Sequence, residues 1–467
     1  MADQIKFGTD GWRAIIADTY TIQNLKRVTF ATSEWLRQNN MSKVVIGHDC
    51  RFGGEMFAET AARLLASEGH QVYLAQGFVS TPMVSLGVVK KSADLGIVIT
   101  ASHNPPAYNG FKLKSRYGGP TIPKHISEVE DLIPENYNDE PDQLATYLAN
   151  GRISYLNLEE IYIEHVEANF DMDAIRSTAS ALAYDAMYGA GQNVLQKLLP
   201  DATCLHCDYN PGFNGQAPEP IMRNLEELSG LIAKTPGLKV GLANDGDADR
   251  IGMFDEKGSF VDSHHILLLL LYYLAEFKKE KGKVVVTFSV TDQIIKLAEI
   301  YGLEYEVTKI GFKYIAEKMV EEDIIVGGEE SGGIAVKGHI PERDGIWIGL
   351  VIMELMAKTG KSLTELVETI YDKVGYFSFD RDDLHISEDA KERIIEACAD
   401  GQINEIGGRP VIRTERIDGF KYYVADDLWV MIRPSGTEPV LRVYSQGPGK
   451  EAVRELLSAT HEALENI

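Results

Sequence analysis

The chain has 467 residues, 44% of them apolar and 25% charged, a balance that excludes a disordered, collagen-like or disulfide-stapled protein. Its 70 acidic against 46 basic side chains leave a net charge of −24. Such a surface repels phosphate backbones, so nucleic acid is excluded as a general partner, and any anionic substrate must be captured by a local cationic pocket. Four cysteines, Cys50, Cys204, Cys207 and Cys398, are too few for a secreted disulfide framework. The start, Met1-Ala2-Asp3-Gln4, lacks the basic and apolar regions of a signal peptide. The greasiest stretch, residues 266–274, is about half a membrane span and reads as a buried helix. A cytoplasmic protein with no membrane segment is expected.

In chain order, Ile22, Leu25, Val28 and Trp35 stand at helical spacing, and residues 43–47 form a β-branched run. Residues 54–68 predict an amphipathic helix with Leu64 and Leu65 inward and Gly69 as its stop. Short strands follow at 71–74 and 95–99. Strands interleaved with helices predict a parallel or mixed sheet covered on both faces. The acidic, proline-punctuated residues 134–142 read as a linker. The strand–loop–helix phrase then recurs at 181–191 and again from 284. Each occurrence is followed by a strand that ends in an unusual polar loop, at 100–104, 244–250 and 327–333. Beyond Val374 the texture changes to alternating strands at 422–424 and 428–432 with helices at 387–399 and 450–467. The fold class is therefore α/β: three tandem related units with mixed sheets (residues 1–145, 146–256 and 257–372) and a smaller C-terminal α+β domain (373–467).

Ligands of open α/β sheets gather beyond the carboxyl ends of the strands, where all three odd loops fall. In Thr100-Ala101-Ser102-His103-Asn104-Pro105-Pro106, the Ser102 hydroxyl could store a transferred group, or it could merely cap a turn. In Asp245-Gly246-Asp247-Ala248-Asp249-Arg250, three alternating carboxylates can converge on one hard cation. An EF-hand is disfavoured because Arg250 stands where glycine is required and the flanks read as strands. Gly327-Gly328-Glu329-Glu330-Ser331-Gly332-Gly333 is either a sugar-hydroxyl loop or an ordinary glycine turn. Arg433-Pro434-Ser435-Gly436-Thr437-Glu438-Pro439, with Arg442 nearby, has the parts of a phosphate cradle but also of a plain hairpin turn. Three other patterns fail as motifs: Gly360-Lys361-Ser362 lacks the earlier Walker glycine, Gly189-Ala190-Gly191 lacks the third dinucleotide glycine, and Cys204-Leu205-His206-Cys207 lacks a second metal-binding pair.

Taken in order, and joined to Phe7-Gly8-Thr9-Asp10-Gly11-Trp12-Arg13, these loops resemble the α-D-phosphohexomutase family over essentially all 467 residues. The resemblance implies four domains around a central cleft, and the C-terminal domain is expected to close over ligand, since its loop must admit and release a large bisphosphate. It also implies interconversion of hexose 1- and 6-phosphates through a phosphoserine and one Mg²⁺. Ser102 then matches the phosphoserine, with His103 beside it; Asp245, Asp247 and Asp249 match the metal ligands, the phosphate on Ser102 completing the shell. Arg250 follows the metal loop, Glu329 and Ser331 match the sugar-hydroxyl residues, and Arg343 matches a substrate contact. Arg433, Ser435, Gly436 and Thr437, joined by Arg442, match the loop for the phosphate that is not reacting. Arg13 and Lys112 match basic residues near the phosphoserine, Lys112 being nominated for proton transfer with His103 as its rival. Glu330 and Gly333 resemble the glucose-preferring branch, and Phe312 departs from the dual mannose/glucose pattern, which has histidine there. This implies α-D-glucose 1-phosphate ⇌ 6-phosphate with glucose 1,6-bisphosphate as intermediate and activator. The alternatives are the mannose and glucosamine branches of the same family and, from a different class, a phosphosugar-binding paralogue without turnover. The expected partners are small hexose phosphates, with the chain a monomer or weak homodimer.

Overall fold

The computed structural model describes residues 5–8, 10–434, 440–465 and 467. The first sheet holds β1 (Trp12–Ile15), β2 (Lys43–His48), β3 (Gln71–Ala75), β4 (Leu95–Ile99), β5 (Tyr108–Ser115) and β6 (Ile153–Leu156), in the order β1-β5-β4-β2-β3-β6. The second holds β7 (Leu182–Asp185), β8 (Thr203–Leu205), β9 (Val240–Asn244), β10 (Ile251–Phe254) and β11 (Phe260–Val261), ordered β11-β10-β9-β7-β8. The third holds β12 (Lys283–Thr287), β13 (Tyr305–Thr308), β14 (Ile324–Gly328) and β15 (Ile334–Val336), ordered β13-β12-β14-β15.

One four-strand core repeats three times: β5-β4-β2-β3, β10-β9-β7-β8 and β15-β14-β12-β13. In each, three strands run parallel and the fourth returns antiparallel. The repeat expected from the sequence is thus a repeat of topology. Its physical basis is the central strand of each unit, whose apolar run (Val44-Val45-Ile46 in the first) is buried on both faces. Each odd loop is the hairpin joining the last parallel strand to its antiparallel return, so all three sit at carboxyl ends.

One continuous apolar cluster, including Val45, Val84, Tyr184, Leu242, Leu267 and Ile346, spans the first three units. Residues 266–271 lie in the buried helix Ser263–Tyr272, capped by Asp262 accepting from His265 N. Among the described residues no helix is long and apolar enough to cross a membrane. Gly360 ends helix Gly345–Thr359 at φ 67°, a left-handed cap that accounts for the Gly-Lys-Ser sequence without any phosphate loop.

The last sheet runs β16-β22-β21-β20-β19, built from β16 (Ser378–His385), β19 (Arg413–Glu415), β20 (Phe420–Ala425), β21 (Leu428–Pro434) and β22 (Val440–Gly447); β17 (Glu405–Ile406) and β18 (Arg409–Pro410) pair beside it. One face packs on helices Glu388–Ala399 and Lys450–Glu465 through Ile394, Ile432, Val443 and Leu457. The other sets Tyr423, Trp429, Met431 and Tyr444 against Phe288 of the third unit.

Two expectations change. β6 pairs with β3, so the first sheet extends beyond residue 145. The supposed linker at 134–142 is strapped down, with Arg27 Nε donating to Pro134 O (2.7 Å) and Arg63 Nε to Asp142 O (2.7 Å).

Candidate active site

Ser102 follows β4 directly and holds a left-handed backbone, φ 52°, at 1% exposure. Its N–H donates to Thr100 Oγ1 (2.8 Å), and its hydroxyl donates to Asp245 Oδ2 (2.8 Å) from the second unit. His103 Nδ1 lies 3.3 Å from Ser102 Oγ. A Cβ at Gly246 would stand 2.5 Å from Ser102 O, so only glycine lets the acidic loop lie this close to the serine. Arg51 organises the loop from beneath. Its Nη2 donates to Ser102 O and Asn104 O (2.6 Å each), and its Nη1 to Pro105 O (2.9 Å) and Tyr108 O (3.0 Å). Asp49 (3.3 Å) and the face of Phe213 (4.9 Å) hold the guanidinium in turn. Arg13 Nη1 donates to Asn104 Oδ1 (2.7 Å).

Asp245, Asp247 and Asp249 are fully buried, and each offers a carboxylate oxygen within 4.8 Å of the others. Lys112, from β5, places Nζ 2.8 Å from Asp247 Oδ2, 3.2 Å from Asp249 Oδ2 and 2.9 Å from Asp10 Oδ2. Arg343 Nη2 lies 2.6 Å from Asp249 Oδ2 and also meets Asp10, while Thr81 donates its hydroxyl to Asp247. Burial, then Asp249 and Asp247, push Asp245 well above the usual carboxylate range. For Lys112, burial opposes the charge but Asp10, Asp247 and Asp249 outweigh it, so the group is held as an ammonium. Burial, then Arg250 and Arg13, hold His103 far below its usual value, as a neutral imidazole.

The third loop closes on the same place. Glu329 is 6% exposed, and its N–H donates to Gly333 O (3.0 Å). A Cβ at Gly333 would meet Arg343 Cδ at 2.5 Å, so the absence of a side chain there lets Arg343 lie across the loop. Phe312 stacks under the Arg343 guanidinium at 5.4 Å. Glu330 is anchored outward, accepting from the Ser289 and Ser263 hydroxyls through its carboxylate and its carbonyl. Ser331 is exposed at the tip. Arg250 lies between the loops, 3.9 Å from Glu219. Burial, then Glu330 and Asp249, lift Glu329 to about 7 despite Arg343 and Arg250. A carboxyl raised by folding binds more protons folded than unfolded, so its contribution to stability is present at low pH and lost as pH rises through about 7. Glu329→Gln is therefore expected to stabilise the ligand-free protein at pH 8, by at most about 3 kcal/mol at 1.36 kcal/mol per pH unit, and not at pH 4.5. Urea unfolding at the two pH values measures this, and an equal difference at both refutes it.

In the C-terminal unit, Arg433 and Arg442 are cross-strand partners on β21 and β22 at the mouth of the loop they flank. Ser435, Gly436 and Thr437 lie outside the described residues. Two positive side chains set opposite each other are unfavourable unless an anion or acid offsets them.

Family profiles of phosphoglucomutase/phosphomannomutase match in sequence order: α/β/α domain I at residues 4–140, domain II at 160–258, domain III at 262–374 and the C-terminal domain at 388–463. A phosphoglucomutase/phosphomannomutase of Thermococcus kodakarensis is 31% identical over 98% of each chain. The chain belongs to this phosphohexomutase family. A phosphoglucosamine mutase of Methanococcus maripaludis is likewise 31% identical, over 97% of this chain and 96% of its own. A Thermus thermophilus crystal structure assigned as a phosphomannomutase superposes with TM-score 0.87 at 32% identity over the whole of both chains. The open form of a Paramecium phosphoglucomutase, at 20% identity, shares the fold with TM-score 0.85 over 100% of this chain and 95% of its own.

As a phosphohexomutase the chain is an enzyme of phosphotransferase type, and its acidic cluster has the make-up of a divalent-metal site. Asp247 Oδ1 and Asp249 Oδ1 are buried without a hydrogen-bond partner, and an all-oxygen donor set of this charge suits a hard cation. Among the described residues this is the one such group of three or more ligands. The Cys204–Cys207 stretch forms no comparable cluster, and His206 Nδ1 turns to Asp185 at 2.9 Å. Sequence reasoning missed Asp10, Asp49, Arg51 and Thr81 as parts of the site. Asp49 and Arg51 were findable, since they follow the carboxyl end of central strand β2, where the same topological rule applies.

Proposed function

We propose that this phosphohexomutase interconverts the 1- and 6-phosphates of a gluco-configured hexose by way of phosphorylated Ser102. The observation that carries the reading is the Ser102 hydroxyl at 2.8 Å from Asp245, inside a carboxylate cluster that retains two unpartnered oxygens. Asp245, Asp247, Asp249 and the oxygen on Ser102 would hold one Mg²⁺, whose charge offsets that building on the transferring phosphoryl oxygens. The bond from phosphorus to Ser102 Oγ breaks as one to the sugar hydroxyl forms; the hydroxyl proton is released and a proton returns to Oγ. Neutral His103, 3.3 Å from that oxygen, is placed to hold it. Lys112, nominated for proton transfer from the sequence, is better suited to remain a cation that stabilises charge, because three carboxylates grip it. Arg51 keeps Ser102 aimed through main-chain carbonyls. The bisphosphate then turns over, and Arg433, Arg442 and the loop 435–437 grip whichever phosphate is distal. Glu329 and Ser331 bind the 3- and 4-hydroxyls, which are presented alike in both orientations. A catalytic constellation needs all its parts, and their joint presence argues against a non-catalytic paralogue.

Two sugars compete. Relatives named as phosphoglucosamine mutases, in Methanococcus maripaludis and two Caldicellulosiruptor species, favour glucosamine, and we place it first. The loop residues Glu330 and Gly333 favour glucose and a phosphoglucomutase, and Phe312, where dual-specific relatives carry histidine, speaks against mannose. Steady-state assays with glucosamine, glucose and mannose 1-phosphates, Mg²⁺ and a trace of the matching bisphosphate decide between them. We expect kcat/KM for glucosamine phosphate to exceed that for mannose phosphate by at least about tenfold, a 1.4 kcal/mol preference. A higher value for glucose installs the second reading, and a higher value for mannose refutes both.

A further inference from the structure

Asp418 is assigned no part in the site as described, yet it joins two of its elements. It lies in the turn between β19 and β20, and its Oδ2 accepts both from Arg433 Nε (3.2 Å) and from Ile310 N (2.9 Å). Arg433 belongs to the C-terminal unit, at the mouth of its phosphate loop. Ile310 belongs to the third unit, in the turn between β13 and helix Phe312–Glu321. The turn reaches Arg433 because residue 419 has no side chain: a Cβ on Gly419, itself at φ 104°, would stand 2.6 Å from Ile432 O and 3.2 Å from Arg433 Cβ. One carboxylate oxygen therefore links Arg433 of the C-terminal unit to the main chain of the third unit.

We propose that Asp418 is a positioning residue for the distal phosphate: it fixes the Arg433 guanidinium by its Nε edge and ties that aim to the docking of the C-terminal unit on the 309–311 turn. The proposal rests on the reading of Arg433 as a phosphate ligand. A guanidinium recognises phosphate best through a planar fork of parallel donors, so its orientation matters as much as its charge. An acceptor on Nε fixes that plane without using the two terminal nitrogens in the same pair. The Asp418–Ile310 bond is made only when the two units are docked as here, so a displacement of the C-terminal unit loosens the hold on Arg433. Other contacts between these units, among them Thr291 to Gln446 (2.6 Å), Asp292 to Tyr423 (3.0 Å) and the packing of Trp429 and Tyr444 against Phe288, keep the docked state populated when Asp418 is altered.

The test compares wild type, Asp418→Ala, Asp418→Asn, Arg433→Ala and the double alanine variant as full chains with Mg²⁺ and hexose 1-phosphate. Arg433→Ala is expected to raise KM by about tenfold or more, as loss of a charged hydrogen-bonding partner does. Asp418→Ala is expected to raise KM about fivefold with kcat within about twofold, and Asp418→Asn, which keeps an acceptor oxygen, to recover part of it. The double variant is expected to be no worse than Arg433→Ala alone, because the aspartate acts through the arginine. If Arg433→Ala raises KM while both Asp418 variants match wild type, the proposal is wrong and the phosphate reading stands. Additive effects in the double variant also overturn it. If Arg433→Ala leaves KM unchanged, the phosphate reading itself fails. A merely structural role for Asp418 would lower the active fraction and kcat without the KM-specific pattern, and Asp418→Asn, close in shape, keeps the test valid should the alanine variant not fold.

Discussion

Replacing Ser102 with alanine is expected to lower kcat by at least about 10³-fold and to abolish covalent phosphorylation of the protein by bisphosphate. Among the described residues, the neighbouring threonine hydroxyls are already committed. Thr100 donates to Asp49 at 2.5 Å, and Thr81 is committed to Asp247. The variant should nevertheless fold, because the loop is held through main-chain atoms: the Ser102 N–H reaches Thr100, and its carbonyl takes Arg51 at 2.6 Å. Loss of activity with an unchanged unfolding midpoint therefore reports on chemistry. Intact-mass measurement after incubation with bisphosphate gives the second readout, one added phosphoryl group in wild type and none in the variant. Wild-type turnover by Ser102→Ala would remove the serine from the reaction.

The second large effect is that of the divalent ion. Chelation should suppress turnover by at least about 10²-fold, with recovery on adding Mg²⁺. Binding is also readable without activity. An ion that binds only the folded state stabilises it by about 2.7 kcal/mol at a hundredfold excess over Kd. Mg²⁺ should therefore raise the unfolding midpoint of wild type, and Asp247→Asn should lose most of that increase along with activity. The physical ground is the crowding of three carboxylates at full burial, which leaves Asp245 well above its normal range and two oxygens without partners until a cation joins them. Full activity after exhaustive chelation, or a midpoint indifferent to Mg²⁺, would sink the metal assignment.

Much of this was visible in the chain before folding. The acidic triplet and the serine loop each lie within a few residues, so their chemistry is written locally, and the alternation of buried strands with helices fixes where such loops must stand. The flanks of the triplet, β9 and β10, are strands as read, which separates it from an EF-hand. Other elements were hidden for definite reasons. β16 (Ser-Phe-Asp-Arg-Asp-Asp-Leu-His) was not among the expected strands because it is an edge strand rich in charge, which blocks unwanted pairing and masks the usual apolar alternation. β6 returns to the first sheet after a strapped segment whose composition resembles a linker. The proton-transfer nomination shifted because nothing in the spacing of Lys112 foretells three carboxylate neighbours.

The sequence by itself determined which residue types meet at each loop, the threefold recurrence of the α/β phrase and the smaller final unit, since these follow from local pattern and strand burial. Only the tertiary structure decided that Arg51 clamps four carbonyls of the serine loop, that Arg343 reaches both Asp10 and Asp249, and that Lys114 pairs with Glu342 at 2.8 Å. Those partners are far apart along the chain. Their meeting depends on how the units dock, and buried charges find partners only after the apolar core they share has set the distances between them.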